Sequence, residues 1–196
     1  MKKNNGLITK ADLKNYKPVW REPVRGNYKE YEIVTMPPPS SGGIHIIQML
    51  NILEHYNLPE MGHNSPTYVA LLAEVMKYAY ADRSKYLGDP DFFDVPVAQL
   101  ISKEYAKEVN SRIELNQITP SDKILPGDAM PHESMDTTHF SVADQFGNVT
   151  SNTYTLNSGF GSGIIVEGTG VLMNNEMDDF VSAPGIPNQF GLIGGE

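Results

Sequence analysis

The chain contains no cysteine. That absence removes disulfides, a thiol nucleophile and thiolate metal ligands together. There is no lysine- or arginine-rich run, and the formal net charge is −9 with a pI near 5.0. A phosphate backbone demands a basic surface, so this balance argues against nucleic acid as a partner. It does not select any small molecule. No stretch approaches the ~18 apolar residues of a membrane-spanning helix. The opening MKKNNGLITKADL has lysines but no apolar segment behind them, so it does not read as a secretory signal.

What is present reads as an ordinary globular composition. Hydrophobic residues make up 40%, charged residues 20% and aromatics 9%, enough to furnish a core. A length of 196 residues fits one sizeable domain or a piece of a larger one. The final FGLIGGE stops on a loop signal with no closing element, as a truncated chain does.

The pattern along the chain changes once. Thr9 with Asp12 reads as an N-cap with an acidic third position, opening a short helix through about Tyr16. YKEYEIVT (28–35) alternates and is rich in Tyr, Ile and Val, the pattern of a strand. MPPPSSGG (36–43) ends it, since consecutive prolines continue neither strand nor helix. IHIIQMLNILEHYNL (44–58) places Ile44, Ile47, Leu50 and Leu53 at helical spacing, predicting a largely buried helix. A second helix is expected from Ser65-Pro66 to Gly88, with Pro at the favoured first position and Gly as the stop. KEYAKEVNSRI (103–113) predicts a third, short and amphipathic.

From Glu114 to Asp136 periodicity disappears under Pro120, Pro126, Gly127 and Pro131. A loop of about twenty residues is long, and such loops carry function or processing. THFSVADQFGNVTSNTYTL then alternates at period two around DQFGN, and GIIVEGTGVLM adds two short β-like runs around Gly-Thr-Gly. Helices first and strands after point to an α+β architecture. GDPDFFD (88–94) lacks the spacing and final glutamate of a calcium loop, so it reads as a turn after a helix. The NVT sequon at Asn148 carries no weight.

The stretch ESMDTTHFSV (133–142) raises the chemical question. A threonine hydroxyl is a poor nucleophile until a base removes its proton. His139 is two residues from Thr137 and on the same strand face. That spacing is ~6.5 Å along a strand, too far to ensure contact. The plainer reading of His139 is a packed or hydrogen-bonded strand residue. A cut before Thr137 offers another base. Its new α-amine, with a pKa of about 7.7–8.0 against about 10.4 for lysine, would be partly unprotonated near neutrality and beside its own hydroxyl. On chemistry alone this is one possibility among several.

TTHFSVADQFGNVTSNTYTLNSGFGSG (137–163) and TGVLMNNEMDDF (169–180) resemble the start of the small subunit of γ-glutamyltransferases. GLITKADLKNY, MPPPSSGGIHIIQMLNILE and KYAYADRSKYLGDPDF are similar to the end of that family's large subunit. The similarity covers essentially the whole chain. It implies an N-terminal-nucleophile hydrolase fold, a four-layer αββα sandwich, incomplete at both ends. On that basis residues 1–136 form the C-terminal part of the large-subunit region and 137–196 the N-terminal part of the small-subunit region. The precursor would cleave itself between Asp136 and Thr137 into two subunits that stay together as a heterodimer.

The resemblance makes Thr137 the nucleophile toward the γ-glutamyl amide of glutathione or a related donor. The acyl group would pass to water, an amino acid or a dipeptide by ping-pong transfer. Thr155 matches a second threonine that hydrogen-bonds the nucleophile and assists self-cleavage. Asn157, Glu176 and Asp179 match residues that hold the donor's α-ammonium, whose three donors suit carboxylates and an amide oxygen. Thr138 and Thr153 are expected to be strand residues only. SAPGIPNQFGLIGG (182–195) matches the lid over the site, with Phe190 where some members have Tyr. No cofactor or metal is implied. Members of the family are mostly periplasmic or secreted.

The family's carboxylate-binding arginine lies before the matching region, and its Ser-Ser pair and Gly-Gly oxyanion hole lie after it. Gly194-Gly195 belongs to the lid. Each oxyanion donor is worth on the order of 10²–10³ in rate, so the isolated chain is expected to be inactive. Two alternatives stand beside the enzyme segment. One is a non-catalytic remnant or complementing module. The other, within enzymes, is a poly-γ-glutamate depolymerase or acylase relative, against which NNEMDDF favours the glutathione-type site.

Overall fold

A computed structural model describes residues 1, 5–115, 117–124, 137–179, 183 and 186–188. The chain opens with α1 (Lys10–Asn15), held by the expected capping box between Thr9 and Asp12. Two antiparallel strands come next, β1 (Val24–Tyr28) and β2 (Tyr31–Thr35), paired from Val24↔Thr35 to Tyr28↔Tyr31. The alternating run 28–35 is therefore not one strand. Lys29 takes φ 52° and the chain reverses there. The pattern contains no glycine or proline to announce that turn, because lysine supplies the left-handed residue.

The helices after β2 are α2 (Gly42–Leu53), α3 (Leu58–Met61), α4 (Pro66–Tyr86), α5 (Val97–Leu100) and α6 (Lys103–Asn110). Ser65 and Ser102 cap α4 and α6, accepting the amides of Tyr68 and Tyr105, each at 3.1 Å. The helix expected over 44–58 begins two residues earlier and stops at Leu53. Glu54 is withdrawn to accept Lys29 N–H and to pair with Lys103, whose ammonium also donates to Asn27 O at 2.9 Å. One carboxylate thus ties the β1–β2 turn to the end of α2 and the start of α6. The Lys103 hydrogen bond foremost holds the Glu54 carboxyl below its usual range.

The core lies where α2, α4 and α6 meet, around Ile52, Leu71, Val75, Tyr78, Ala106 and Val109. A polar seam runs beside it. Asp82 accepts from Gln48 and from the Tyr105 hydroxyl at 2.9 Å, and Asn51 donates to Ile101 O at 2.7 Å. Burial raises the Asp82 carboxyl above its usual range, and the Tyr105 and Gln48 hydrogen bonds oppose that. Such a seam fixes how the three helices face one another, because its hydrogen bonds join Gln48 of α2, Asp82 of α4 and Tyr105 of α6 directly.

The long irregular segment is anchored at its start. Buried Glu74 accepts Thr119 N–H at 3.1 Å, Lys77 donates to Thr119 O at 2.9 Å, and a 3-10 turn (Ser121–Lys123) leads to buried Ile124. GDPDFFD is a turn after α4, as expected. Its Asp91 receives a two-pronged bond from Arg21 at 2.7 and 3.1 Å, so the carboxylate neutralises a guanidinium.

β3 (Thr137–Ala143) and β4 (Val149–Thr155) form the second hairpin. Asp144 closes its turn by accepting the amides of Phe146 at 2.8 Å and Asn148 at 2.9 Å. The β-like runs around Gly-Thr-Gly reduce to one bridge, Ile165↔Leu172. The described residues thus mix helices and antiparallel strands in the expected α+β manner.

At the first turn of α2, Gly43 packs directly under the chain. A Cβ there would sit 2.0 Å from the Met36 carbonyl oxygen, and backbone offers no flexible atom to yield. Gly43→Ala is expected to cost about 1–3 kcal/mol by overpacking, read as a lowered urea midpoint with an unchanged slope.

Candidate active site

The hairpin register places Thr137, at the start of β3, directly opposite Thr155 at the end of β4. Directly opposed residues share a face with Cβ atoms roughly 4.5–5.5 Å apart. The two threonines are thus brought together by strand pairing. The same face continues with His139 opposite Thr153 and Ser141 opposite Ser151. His139 Nδ1 lies 2.6 Å from Thr153 Oγ1, and Nε2 lies 3.0 and 3.3 Å from Ser151 and Ser141 Oγ. Its partners run away from Thr137, which fits a supporting role. The opposite face is mixed, with Phe140 and Tyr154 edge to face at 6.3 Å between centroids beside Thr138, Val142, Thr150 and Asn152.

Beyond β4 the chain turns sharply. Thr155 Oγ1 accepts the amide of Asn157 at 2.9 Å, and Asn157 takes φ 74° and is 2% exposed. Asparagine tolerates this left-handed geometry better than most residues. Its side chain donates to the Asn175 carbonyl at 3.1 Å. The returning segment lies close enough that a Cβ on Gly161 would meet the Met173 carbonyl oxygen at 2.3 Å. Ser162 N–H donates to that same oxygen at 2.9 Å.

This return delivers a second 3-10 turn, Glu176–Asp179, whose Glu176 amide is capped by Asn174 Oδ1 at 3.1 Å. Desolvation raises the carboxyl of half-buried Glu176, and the nearby Asp179 charge adds to it. Asp179 stands at an exposed position, yet neighbouring atoms crowd its carboxyl enough to raise it too. Two close, partly desolvated carboxylates favour a cation between them. The string 182–195 meets this turn at one described point, where Asn188 donates to the Asp179 carbonyl at 2.8 Å. Asp136 and Phe190 lie outside the described residues.

Two further residues bear on the site from α2 and α4. The positive charge of Arg83 pulls the Asp179 carboxyl down against its desolvation and lowers the His45 imidazole. His45 is 5% exposed with its ring 5.6 Å from that of Tyr80, and burial foremost takes its pKa to about 4. Arg83 and Asp179 are far apart in sequence, so no spacing rule could couple them. The only linear signal is that both sit inside the family-like strings. Among the described residues no group of His, Asp or Glu could hold a metal ion, and no helix is long and apolar enough to cross a membrane.

A strand-start threonine faces a second threonine, and an acidic turn is anchored beside the strand end. The profile of the gamma-glutamyltranspeptidase family matches residues 1–196. The chain belongs to that family. It is 53% identical over 196 residues to the glutathione hydrolase proenzyme of Escherichia coli (strain K12), covering all of this chain and 34% of that protein. It spans about a third of the length of the curated relatives it matches. The crystal structure of Helicobacter pylori gamma-glutamyltranspeptidase aligns over 69% of this chain and 39% of its own, with TM-score 0.63 and 48% identity. Cephalosporin acylase from Bacillus halodurans aligns over 94% of this chain and 32% of its own, with TM-score 0.72 and 30% identity.

The His45 environment has a pH consequence. A histidine whose folded pKa falls from 6.5 to about 4 binds its proton more readily when unfolded. Its stabilising contribution is therefore complete above about pH 6.5 and is lost as pH falls toward about 4, amounting to at most about 3 kcal/mol. Asp82, Glu176 and Asp179, raised above their usual range, act with the opposite sign. The wild-type minus His45→Gln difference in unfolding free energy should thus shrink across that window. A difference flat with pH would refute it.

Proposed function

We propose that this chain is the nucleophile-bearing part of a γ-glutamyl acyl-transfer enzyme acting on glutathione and related γ-glutamyl compounds. The observation that carries the proposal is the placement of Thr137 against Thr155 with the Glu176–Asp179 turn fastened to the end of the same strand. In this reading, hydrolysis of the Asp136–Thr137 bond leaves an α-amine on Thr137. That amine takes the Oγ proton as the oxygen attacks the γ-glutamyl carbonyl. The amide C–N bond breaks, the proton passes to the leaving amine, and a γ-glutamyl ester remains on Thr137. Water or an acceptor amine then cleaves the ester and restores the hydroxyl.

Thr155 supports the nucleophile from across the ladder. Glu176, Asp179 and Asn157 take the donor's ammonium, two carboxylates and an amide oxygen meeting its three donors. Charge-assisted hydrogen bonds of this kind are worth roughly 1.5–3 kcal/mol each. The positive charge of Arg83 opposes the desolvation that raises the Asp179 carboxyl, and so favours the anion that would meet the ammonium.

The four-layer αββα sandwich belongs to the same proposal. A lone hairpin is marginal in water, and Phe140, Val142 and Tyr154 stand exposed on one face of β3–β4. In the sandwich a second layer covers them. Residues 1–136 and 137–196 then become parts of the large and small subunits of one heterodimer, the rest supplied by polypeptide outside this chain.

The likeness to a cephalosporin acylase favours a second reading, an acylase or a poly-γ-glutamate depolymerase using the same threonine. Such an enzyme has no need of a free α-amine on a single glutamyl unit. The test uses the full-length polypeptide, a denaturing gel with mass spectrometry, and a chromogenic γ-glutamyl anilide. Two fragments with a new N-terminus at Thr137 and turnover of the anilide are expected, and Thr137→Ala should abolish both. An uncut, inactive protein would sink the enzymatic reading, and equal turnover of a glutaryl anilide would favour the acylase. Asp179→Ala should raise KM for the γ-glutamyl donor roughly 10- to 100-fold while self-cleavage persists.

A further inference from the structure

Asn175 makes the densest set of hydrogen bonds near the candidate site. Its Oδ1 accepts the Ser158 amide at 3.0 Å, and its Nδ2 donates to Ser158 Oγ at 3.0 Å and to the Asp178 carboxylate at 2.8 Å. Its main chain donates to Leu156 O at 3.1 Å and accepts from Asn157 Nδ2 at 3.1 Å and Asp178 N–H at 3.0 Å. Every polar group of the residue is engaged. The partners on one side, Leu156, Asn157 and Ser158, come directly after the strand that carries Thr155. Those on the other begin the turn that carries Glu176 and Asp179.

We infer that Asn175 is a positioning residue that sets the distance between the Thr137–Thr155 pair and the Glu176–Asp179 turn, and so enforces selection for acyl donors bearing a free α-ammonium. The inference rests on the proposed γ-glutamyl site. The asparagine amide suits the task because it combines an acceptor for Ser158 N–H with a donor for the Asp178 carboxylate. Through that donor Asp178 is held aside by a hydrogen bond. Glu176 and Asp179 are left to face the ligand. Alanine removes all three side-chain bonds and leaves the main-chain ones. Aspartate keeps the acceptor toward Ser158 but puts a carboxylate against Asp178, which pushes the turn away.

The chemistry at Thr137 does not pass through Asn175, so its loss should alter selection and not bond cleavage. The experiment compares kcat/KM for a γ-glutamyl anilide and a glutaryl anilide, identical but for the α-amine, in the full-length polypeptide. Wild type should prefer the γ-glutamyl donor on the order of 10²-fold, as two charge-assisted hydrogen bonds allow. Asn175→Ala should cut that preference roughly tenfold or more, through a raised KM with kcat nearly kept, while glutaryl turnover and self-cleavage change little. Ser162→Ala, which removes one bond of 3.1 Å to Met173 O in the same loop, controls for simple loosening and should keep the preference.

Equal losses on both donors, or an intact preference in Asn175→Ala, would overturn the inference. If the alanine variant does not fold or self-cleave, Asn175→Asp decides, because it keeps the turn attached through Ser158. An unchanged preference there overturns the inference as well. A wild type that does not distinguish the two donors defeats the ammonium-binding reading itself, and with it any selective role for Asn175.

Discussion

The pairing of Thr137 with Thr155 in the β3–β4 ladder is the constraint on which the candidate site depends. A strand register is discrete, because a slip of one residue sends every side chain to the other face. In the observed register the hydroxyls and His139 share one face, while Phe140 and Tyr154 occupy the other. A slip of β3 alone would carry Thr137 to the side of Phe140 and Tyr154. The strand end also fixes the turn beyond it, since Thr155 Oγ1 holds the amide that sets Asn157 into its left-handed conformation. From there the amide of Asn157 and the side chain of Asn175 bring the acidic turn alongside.

The helical body serves this arrangement differently. Its core of aliphatic and aromatic side chains from α2, α4 and α6 makes a firm support, and the Asp82–Gln48–Tyr105 seam sets the helix faces. Along α4 that orientation carries Arg83 to where its charge is felt by His45 and by Asp179. One cation thereby does two things. It discourages protonation of a buried imidazole and opposes the desolvation that raises a crowded carboxyl. Both effects are coulombic and are strengthened by partial exclusion of water.

The main elements are legible in the sequence because their signals are local. Thr9 with Asp12, Ser65 with Pro66, and alternation around DQFGN are short-range patterns, and each forms the element it predicts. The hairpin at Lys29 is not legible. Left-handed backbone is imposed on a residue that does not prefer it, with Glu54 accepting the Lys29 amide from a distant helix. For the same reason the helix expected through residue 58 stops at Leu53. The candidate-site residues are visible only as strings resembling a family. Asn175 and Arg83 lie within those strings without a role, since their importance is a matter of what they touch or charge.

By itself the sequence determined the α+β class, the helix starts and the strand alternation that puts Thr137 and His139 on one face. Its longer strings determined the family. Those properties arise from dihedral preference, capping and periodicity, which act over a few residues. Only the tertiary structure decided that Thr155 faces Thr137, that His139 bonds away from it, and that Arg83 bears on Asp179. These depend on register, on a left-handed turn at Asn157 and on helix orientation, each set by contacts between segments distant along the chain.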